Sequence, residues 1–528
     1  MKNDIVSLKC IDISVDGQGI CKKDGFVVFV KEMIPGEEAM VKIIAEKKNM
    51  AFGIIDKLIA SSPHRIKPDC PISYKCGGCD YRYIEYDYQL KLKKDILIST
   101  FRNMGLDVNI CDVLKCDDPM YYRNKVQVPV KDGAFGFYRK FSNDIVEFDK
   151  CYIETRLAND VFNDTKNLIK EYKIDNFFRH VLIKHARGTN EIMLGLIVKD
   201  FNVPSINGLV KDIVNQYKNI KSVILNLNTR DDNVILGDKE RVLYGNNFII
   251  DEFEGLKFKI SFKSFYQVNY HQMIKLYNLA KDLADVNKET RLLDLYSGIG
   301  TISLFMSKYC KEVTGVEIVK EAVDNAIDNA KLNGIKNASF YLDDARADLS
   351  KYLKDKDVVV VDPPRKGLSE KLINSLIEND VKKIVYISCN PATLARDLTN
   401  FKDNYSISDI HPVDMFPFTK HVETVCLLSK LHEAKHHVSV TLDMDEMDIT
   451  SAESKATYEE IKKYVAEHND GMKVSSLNIA QVKRKCGIEL TENYNLPKSE
   501  DSKQPSCPKE KEDAIVEALK AFRMIWEY

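Results

Sequence analysis

Leu292-Leu293-Asp294-Leu295-Tyr296-Ser297-Gly298-Ile299-Gly300 is the stretch that decides the fold. Apolar residues with strand character run into a glycine turn, and Thr301 onward reads as a helix. Glycines at such a turn let a ligand approach the backbone, and a helix N-terminus offers unpaired amides. A lone Gly-x-Gly is a weak signal, and Ser303 stands where the dinucleotide fingerprint has its third glycine, which counts against NAD. Glu317 ends the next strand 19 residues after Gly298, where a carboxylate can accept bonds from both hydroxyls of a ribose. Asp344 follows a third strand, Ser339 to Leu342, in position to receive an adenine amino group. The plain alternative is a turn glycine, a surface glutamate and a loop aspartate. Nucleoside recognition without a phosphate-cradling Gly-Lys-Ser/Thr loop points to S-adenosylmethionine more than to ATP.

Outward from this loop, Leu292 to Tyr296, Val313 to Glu317, Val358 to Val361, Ile384 to Ser388 and Val422 to Leu428 are strand-like and alternate with helical patterns. The alternation predicts an α/β fold over residues 261–430, a Rossmann-like parallel sheet covered by helices on both faces. Residues 1–60 read as short strands (Phe26 to Val30, Ala39 to Ile44, Ala51 to Leu58) between Asp16-Gly17, Asp24-Gly25 and Pro35-Gly36 turns, which suggests an OB-like β-barrel. Residues 61–260 form a central, mainly β unit. It starts with a Cys-, Pro- and Gly-rich segment and a helix from Tyr88 to Met104, then continues through strands such as Val126 to Val130 and Ile192 to Val198. Residues 431–528 change character: His432, His436, His437 and an acidic run precede helical patterns at Tyr458 to Glu467, Ser475 to Lys485 and Lys509 to Trp526.

The 528 residues suffice for several cores, and 44% hydrophobic with 30% charged residues excludes a collagenous or wholly disordered chain. A net charge of -2 leaves no global basic field, so nucleic-acid binding would rest on local patches and shape. No stretch approaches 18 uninterrupted apolar residues and the start lacks a secretory pattern, so a cytoplasmic protein that does not enter a membrane is expected; a monomer is expected as well. The odd count of 13 cysteines argues against a disulfide framework and for metal binding or catalysis.

Val358-Val359-Val360-Val361-Asp362-Pro363-Pro364-Arg365 is a buried strand ending in a rigid elbow, which puts Asp362 at the carboxyl edge of the sheet where ligands bind. The next strand ends in Cys389-Asn390-Pro391, and the last strand region carries His421-Val422-Glu423. Three reactive side chains therefore share one rim, against the bland alternatives of a small buried thiol and a solvent-facing carboxylate. Cys70-x5-Cys76-Gly77-Gly78-Cys79 supplies three thiolates, with Cys151 able to complete four and Cys111 and Cys116 nearer in sequence. On spacing, structural zinc and an iron-sulfur cluster are equal contenders.

Ser264-Phe265-Tyr266-Gln267-Val268-Asn269, the Asp294 to Gly300 loop, Asp362-Pro363-Pro364-Arg365-Lys366-Gly367, Ser388-Cys389-Asn390-Pro391 and His421-Val422-Glu423-Thr424-Val425 together resemble the successive signatures of the RNA uracil-5-methyltransferase family, over roughly residues 1–430. The resemblance implies that Cys389 is the nucleophile and Glu423 the proton acceptor, and that Gln267, Tyr296, Thr301, Glu317, Asp344 and Asp362 line the S-adenosylmethionine site. It also implies a [4Fe-4S] cluster on Cys70, Cys76, Cys79 and Cys151, and a TRAM barrel that binds RNA. The cysteine segment and barrel resemble the branch that modifies 23S ribosomal RNA, so that RNA is the expected substrate, with transfer RNA the alternative. A noncatalytic RNA-binding or iron-sulfur module is the rival from another class.

The implied chemistry accounts for the residue types. C5 of uracil is a poor nucleophile, so a thiolate adding at C6 pushes electron density onto C5. The site is expected either to stabilise that thiolate or to deprotonate the thiol as substrate arrives. The barrel segment has nine basic and nine acidic residues, so a nonspecific phosphate clamp is not expected there. Tyr121-Tyr122-Arg123-Asn124-Lys125 mixes aromatic and basic groups that could touch RNA, or could equally form a half-buried strand.

Overall fold

The computed structural model describes residues 2–23, 25–140, 142–346, 349–431, 458–469, 471–486 and 507–522. The chain divides into two compact units, Met1–Glu433 and Ala434–Tyr528.

The first unit begins with β1 (Ile5–Ile13), β2 (Gly19–Lys23), β3 (Phe26–Lys31), β4 (Glu38–Lys47) and β5 (Met50–Ala60), closed into a barrel in the order β1-β2-β3-β5-β4. Closure leaves no open edge. Val6, Leu8 and Cys10 point inward from β1 while Ser7 and Lys9 face out, the period-2 signature of a strand with one wet face.

The central sheet contains β6 (Lys125–Lys131), β7 (Ala134–Tyr138), β8 (Ile145–Glu147), β9 (Phe178–Ala186), β10 (Glu191–Val198), β11 (Ile220–Leu227) and β12 (Lys239–Gly245), in the order β12-β11-β10-β9-β6-β7-β8. Helices Arg156–Glu171 and Ile206–Gln216 bury Phe162, Ile169, Leu209 and Ile213 against this sheet. A hairpin of β13 (Phe248–Phe253) and β14 (Leu256–Ser261) follows. One continuous core joins Leu182 and Met193 of the central sheet, Ile249 and Phe258 of the hairpin, and Leu276 and Leu292 of the catalytic region. The expected boundary near residue 260 thus crosses packed side chains. Helix Tyr86–Asn103, expected in the central unit, buries Leu97 and Phe101 with Ile384, Leu398 and other residues of the catalytic sheet and its helices.

That sheet comprises β15 (Arg291–Leu295), β16 (Glu312–Glu317), β17 (Ala338–Leu342), β18 (Val358–Val361), β19 (Lys383–Ser388), β20 (Tyr405–Ile407), β21 (His411–Val413) and β22 (Glu423–Lys430). Its order is β17-β16-β15-β18-β19-β22-β20, with β21 paired to β22. All four valines of β18 are buried, as a strand covered on both faces requires. The expected parallel sheet holds for β15 to β19, whereas β22 runs antiparallel to β19, β20 and β21. The chain returns from β21 to β22 through a loop too short for a helical crossover, so the last strand enters in the opposite sense.

The second unit packs helices Tyr458–His468, Ser476–Lys485 and Lys509–Ala521 around Ile461, Val465, Ile479, Val482, Ile515 and Leu519. Ser475 caps the middle helix, its side chain accepting from the amide of Asn478 while Asn478 reaches back to the Ser475 amide. The expected histidine and acidic run of 432–448, and Trp526, lie outside the described residues. Among the described residues no helix is long and apolar enough to cross a membrane.

Candidate active site

At the carboxyl end of β15 the chain turns sharply, with Tyr296 at φ 66°, Gly298 at φ 55° and Gly300 at φ 82° before helix Thr301–Ser307. Gly298 faces open space where a side chain would stand, whereas a Cβ at Gly300 would come within 2.9 Å of the Phe340 ring. Glu317, at the end of β16, holds this turn through one oxygen, Gly298 N–H donating to Oε2 at 3.0 Å, while its Oε1 accepts from Val319 N–H two residues on at 2.9 Å. Beneath it Asp294 accepts from Ser303 Oγ, and its other carboxylate oxygen is buried without a partner. Burial raises Asp294 to about 7. Ser303, counted against NAD at the sequence level, therefore has a structural role, and Asp294 is a site residue the sequence reading did not single out. The open amide turn, the acidic residue across from it and the orphaned carboxylate oxygen suit a nucleoside with a charged tail such as S-adenosylmethionine.

Tyr296 is half-buried and pushed up to about 12 by burial, then by the neighbouring Asp344. Asp344 itself lies in an exposed loop, where Arg346 donates from Nε at 2.9 Å and from Nη2 at 2.9 Å and holds it below the usual carboxylate range. Thr301 Oγ1 pairs with Tyr277 OH at 2.9 Å. Gln267 is buried on the loop between β14 and helix Tyr270–Ala284, its carbonyl accepting from Asn124 Nδ2 at 3.0 Å. Lys184 of β9, wholly buried, anchors the same loop by donating to the carbonyls of Ser261 at 2.8 Å and Ser264 at 2.9 Å. Phe265 projects from it with 68% of its surface exposed. Lys184 is one of four basic residues in β9, with Arg179, His180 and His185, so its sequence position did not set it apart.

The nucleophile and base candidates meet through strand register. Ser388 of β19 pairs with Thr424 of β22, so Cys389 and Glu423 leave the sheet side by side. Asn390 fixes the turn after Cys389, since its Oδ1 accepts from Ala392 N–H at 3.1 Å and its Nδ2 donates to the Arg365 carbonyl at 3.2 Å. Cys389 is raised to about 11 by burial, then by Glu423 and Asp362, with Arg365 pulling it back. Glu423, 4% exposed, is raised to about 8 by burial and by Asp362, again opposed by Arg365. Asp362 is raised to about 7 by burial, and its charge is felt by Asp294 as well as by Cys389 and Glu423. It therefore stands between the cofactor loop and the thiol. His421 Nε2 lies 3.5 Å from Arg365 Nη2 and is lowered to about 4 by burial and that charge. Burial and the neighbouring carboxyls disfavour the charged form of Cys389 in the free site. Of the two expectations for the thiol, the direction of this shift favours deprotonation as substrate arrives.

Cys70, Cys76 and Cys79 lie on the loop before helix Tyr86–Asn103, and Cys151 packs with Cys79 around Tyr122, Ile153 and Phe418. Burial raises Cys79 to about 12, with Cys76 and Cys70 adding to the shift, and the Cys79 charge is felt in turn at Cys151. The four thiols are neighbours, but among the described residues no group of three or more His, Cys, Asp or Glu is disposed to hold a metal ion. Cys111 faces Asp409, and Cys116 donates to the Asp118 carbonyl, so both point elsewhere. Beside His421 a cleft of about 740 Å³ is walled by Gln18 and Lys31 of the barrel region, Gly78, Tyr138 and Lys140. Tyr122 and Asn124 are buried in hydrogen bonds, so the half-buried alternative holds for most of the Tyr121 to Lys125 stretch.

A three-layered α/β domain with an open amide turn after its first strand, and a thiol and a carboxyl at the same sheet edge, has the architecture of an S-adenosylmethionine-dependent methyltransferase. Residues 85–431 match the family described as tRNA (Uracil-5-)-methyltransferase. The chain belongs to that family. An uncharacterized RNA methyltransferase of Clostridium acetobutylicum is 41% identical over 450 residues, 81% of this chain and 98% of the relative, and one of Bacillus cereus is 39% identical over 82% of this chain and 98% of the relative. Among solved structures, the tRNA (uracil-54, C5)-methyltransferase of Pyrococcus abyssi, in complex with S-adenosyl-L-homocysteine, matches with a TM-score of 0.66 at 30% identity over 80% of this chain and 99% of its own.

Proposed function

We propose that this enzyme methylates C5 of uridine in 23S ribosomal RNA through a covalent adduct at Cys389. The observation that carries the reading is the side-by-side exit of Cys389 and Glu423 from paired strands, both within the field of Asp362. S-adenosylmethionine supplies the electrophilic methyl group when bound. Gln267, Tyr296, Thr301, Glu317, Asp344 and Asp362 would hold it. Glu317 orders the amide turn, and the recessed Asp294 and Asp362 carboxyls face the same region.

The Cys389 thiol gives its proton to solvent and its sulfur adds to C6 of uracil, sending the C5=C6 electron pair toward C5 and O4. C5 takes the methyl group, after which the Glu423 carboxylate removes the C5 proton. The C5–H pair re-forms the double bond and the C6–S pair returns to sulfur. A carboxyl raised by burial is the stronger base once ionised, which suits this step. Because C5 is hidden in stacked RNA, the uridine must leave its stack, and the cleft beside His421 offers room for the neighbouring strand.

The ribosomal choice is supported by the barrel and cysteine segment. A second reading, transfer RNA, is favoured by the Pyrococcus abyssi tRNA (uracil-54, C5)-methyltransferase, whose likeness extends over 80% of this chain. We also propose that Cys70, Cys76, Cys79 and Cys151 hold a [4Fe-4S] cluster, a reading supported by their convergence from two segments and testable by iron and sulfide content after anaerobic purification. The substrate is tested by mapping 5-methyluridine in ribosomal and transfer RNA from cells with and without the gene. Loss from 23S RNA is expected, and loss confined to transfer RNA overturns the choice.

A further inference from the structure

The turn that delivers Glu423 is held from outside the catalytic sheet. Phe418 has φ 64°, a left-handed conformation that a bulky side chain adopts only when its surroundings impose it. Every polar group of its backbone is committed to the cysteine-rich side of the molecule. Its carbonyl accepts from Asp80 N–H and Tyr81 N–H, each at 2.9 Å. Its N–H donates to Gln89 Oε1 at 3.1 Å. Gln89 is wholly buried, and its Nε2 donates to the carbonyls of Ile84 at 2.8 Å and Tyr81 at 3.2 Å. Arg82 lies over the Phe418 ring at 4.1 Å, and Asp80 Oδ2 accepts from Lys420 N–H at 3.2 Å. Tyr122 OH donates to the preceding Pro417 carbonyl at 3.2 Å.

We propose that residues 80–82 and Gln89 form a latch that positions the turn Pro417–Lys420, with Phe418 as its bolt, and that the latch sets the placement of Glu423. Phe418 is then a positioning residue for proton removal, and the purpose of the ordered cysteine-rich segment is to hold the base rather than to react. A fold needing only stability would place an unstrained residue here. An over-determined strained one fixes a geometry, and it does so five residues before the base. The inference rests on the reading of Glu423 as proton acceptor. It predicts which step suffers. Thiol addition and methyl transfer do not use Glu423, whereas release of the methylated ring does: the carboxylate takes the C5 proton, the C5–H pair re-forms C5=C6, and the C6–S bond breaks toward sulfur.

The test uses the full-length protein, radiolabelled S-adenosylmethionine and total RNA from cells lacking the gene, followed by denaturing gels that retain covalent protein–RNA complexes. Glu423→Gln should accumulate labelled adduct. Gln89→Met and Phe418→Gly should also accumulate it, with release slowed about 10- to 100-fold and the single-turnover methyl transfer within about 3-fold of the parent. Asp80→Ala, at the rim of the latch, should show the same selectivity to a smaller degree and covers the event that a core variant fails to fold. If adduct accumulates in Glu423→Gln but the latch variants slow transfer and release equally, or slow neither, the latch is refuted. If Glu423→Gln itself releases product at the parental rate, the underlying role of Glu423 falls instead.

Discussion

Replacing Asp414 by alanine should loosen the base-bearing edge of the sheet more than any surface change. Lys93 and Asp414 are both fully buried and 2.5 Å apart, and the carboxylate also accepts from Tyr86 OH at 2.8 Å while the ammonium donates to the Phe416 carbonyl at 3.2 Å. At an effective dielectric of ~20, the direct attraction at that distance is about 7 kcal/mol, most of it offset by the cost of stripping water from two ions. Removing one partner leaves the other charge buried alone, which costs about 3–5 kcal/mol. Hydrogen exchange followed by mass spectrometry reads this locally. Peptides covering 86–103 and 411–430 should lose protection by roughly 10²- to 10⁴-fold, while the barrel peptides change little. Lys93→Met combined with Asp414→Leu removes both charges and should recover at least half of the loss. The reasoning is refuted if the single change costs under about 1 kcal/mol, or if the double variant is as damaged as the two singles summed.

Two further outcomes follow from the site. Glu423 sits at about 8 against an ordinary 4.5, so the folded chain holds its proton more tightly than the unfolded chain. That contribution to stability is complete below about pH 4.5 and disappears as pH rises through about 8, so Glu423→Gln should raise the thermal midpoint at pH 9 and not at pH 5. An equal shift at both would show that the carboxyl is not desolvated. Lys184→Met should free the loop carrying Gln267 from its Ser261 and Ser264 anchors, raising KM for S-adenosylmethionine about 10-fold with kcat within about 3-fold. A fall in kcat alone would place Lys184 elsewhere in the mechanism.

The catalytic sheet was largely legible because β15, β16, β18 and β19 are short apolar runs punctuated by glycine or proline. In the barrel, β1 and β2 escaped notice, since Lys9, Asp12, Lys22 and Lys23 interrupt their apolar pattern and only closure of the barrel buries the alternate residues. The antiparallel entry of β22 was hidden because a strand's direction depends on the length of its connection, not on its composition. For the site, Cys389, Asp362 and Glu423 were visible as strand-end residues. Lys184, Gln89 and Phe418 were not, because their importance lies in backbone carbonyls and amides that come from distant segments.

The central claim is a bond between the Cys389 sulfur and uracil C6. RNA carrying 5-fluorouridine has no C5 proton for Glu423 to remove, so with S-adenosylmethionine it should lock onto the enzyme in a complex that survives denaturation and maps by mass spectrometry to the peptide containing Cys389. Cys389→Ser should form no such complex and no 5-methyluridine. Full turnover by Cys389→Ser, or a trapped complex mapping to a different residue, would contradict the account.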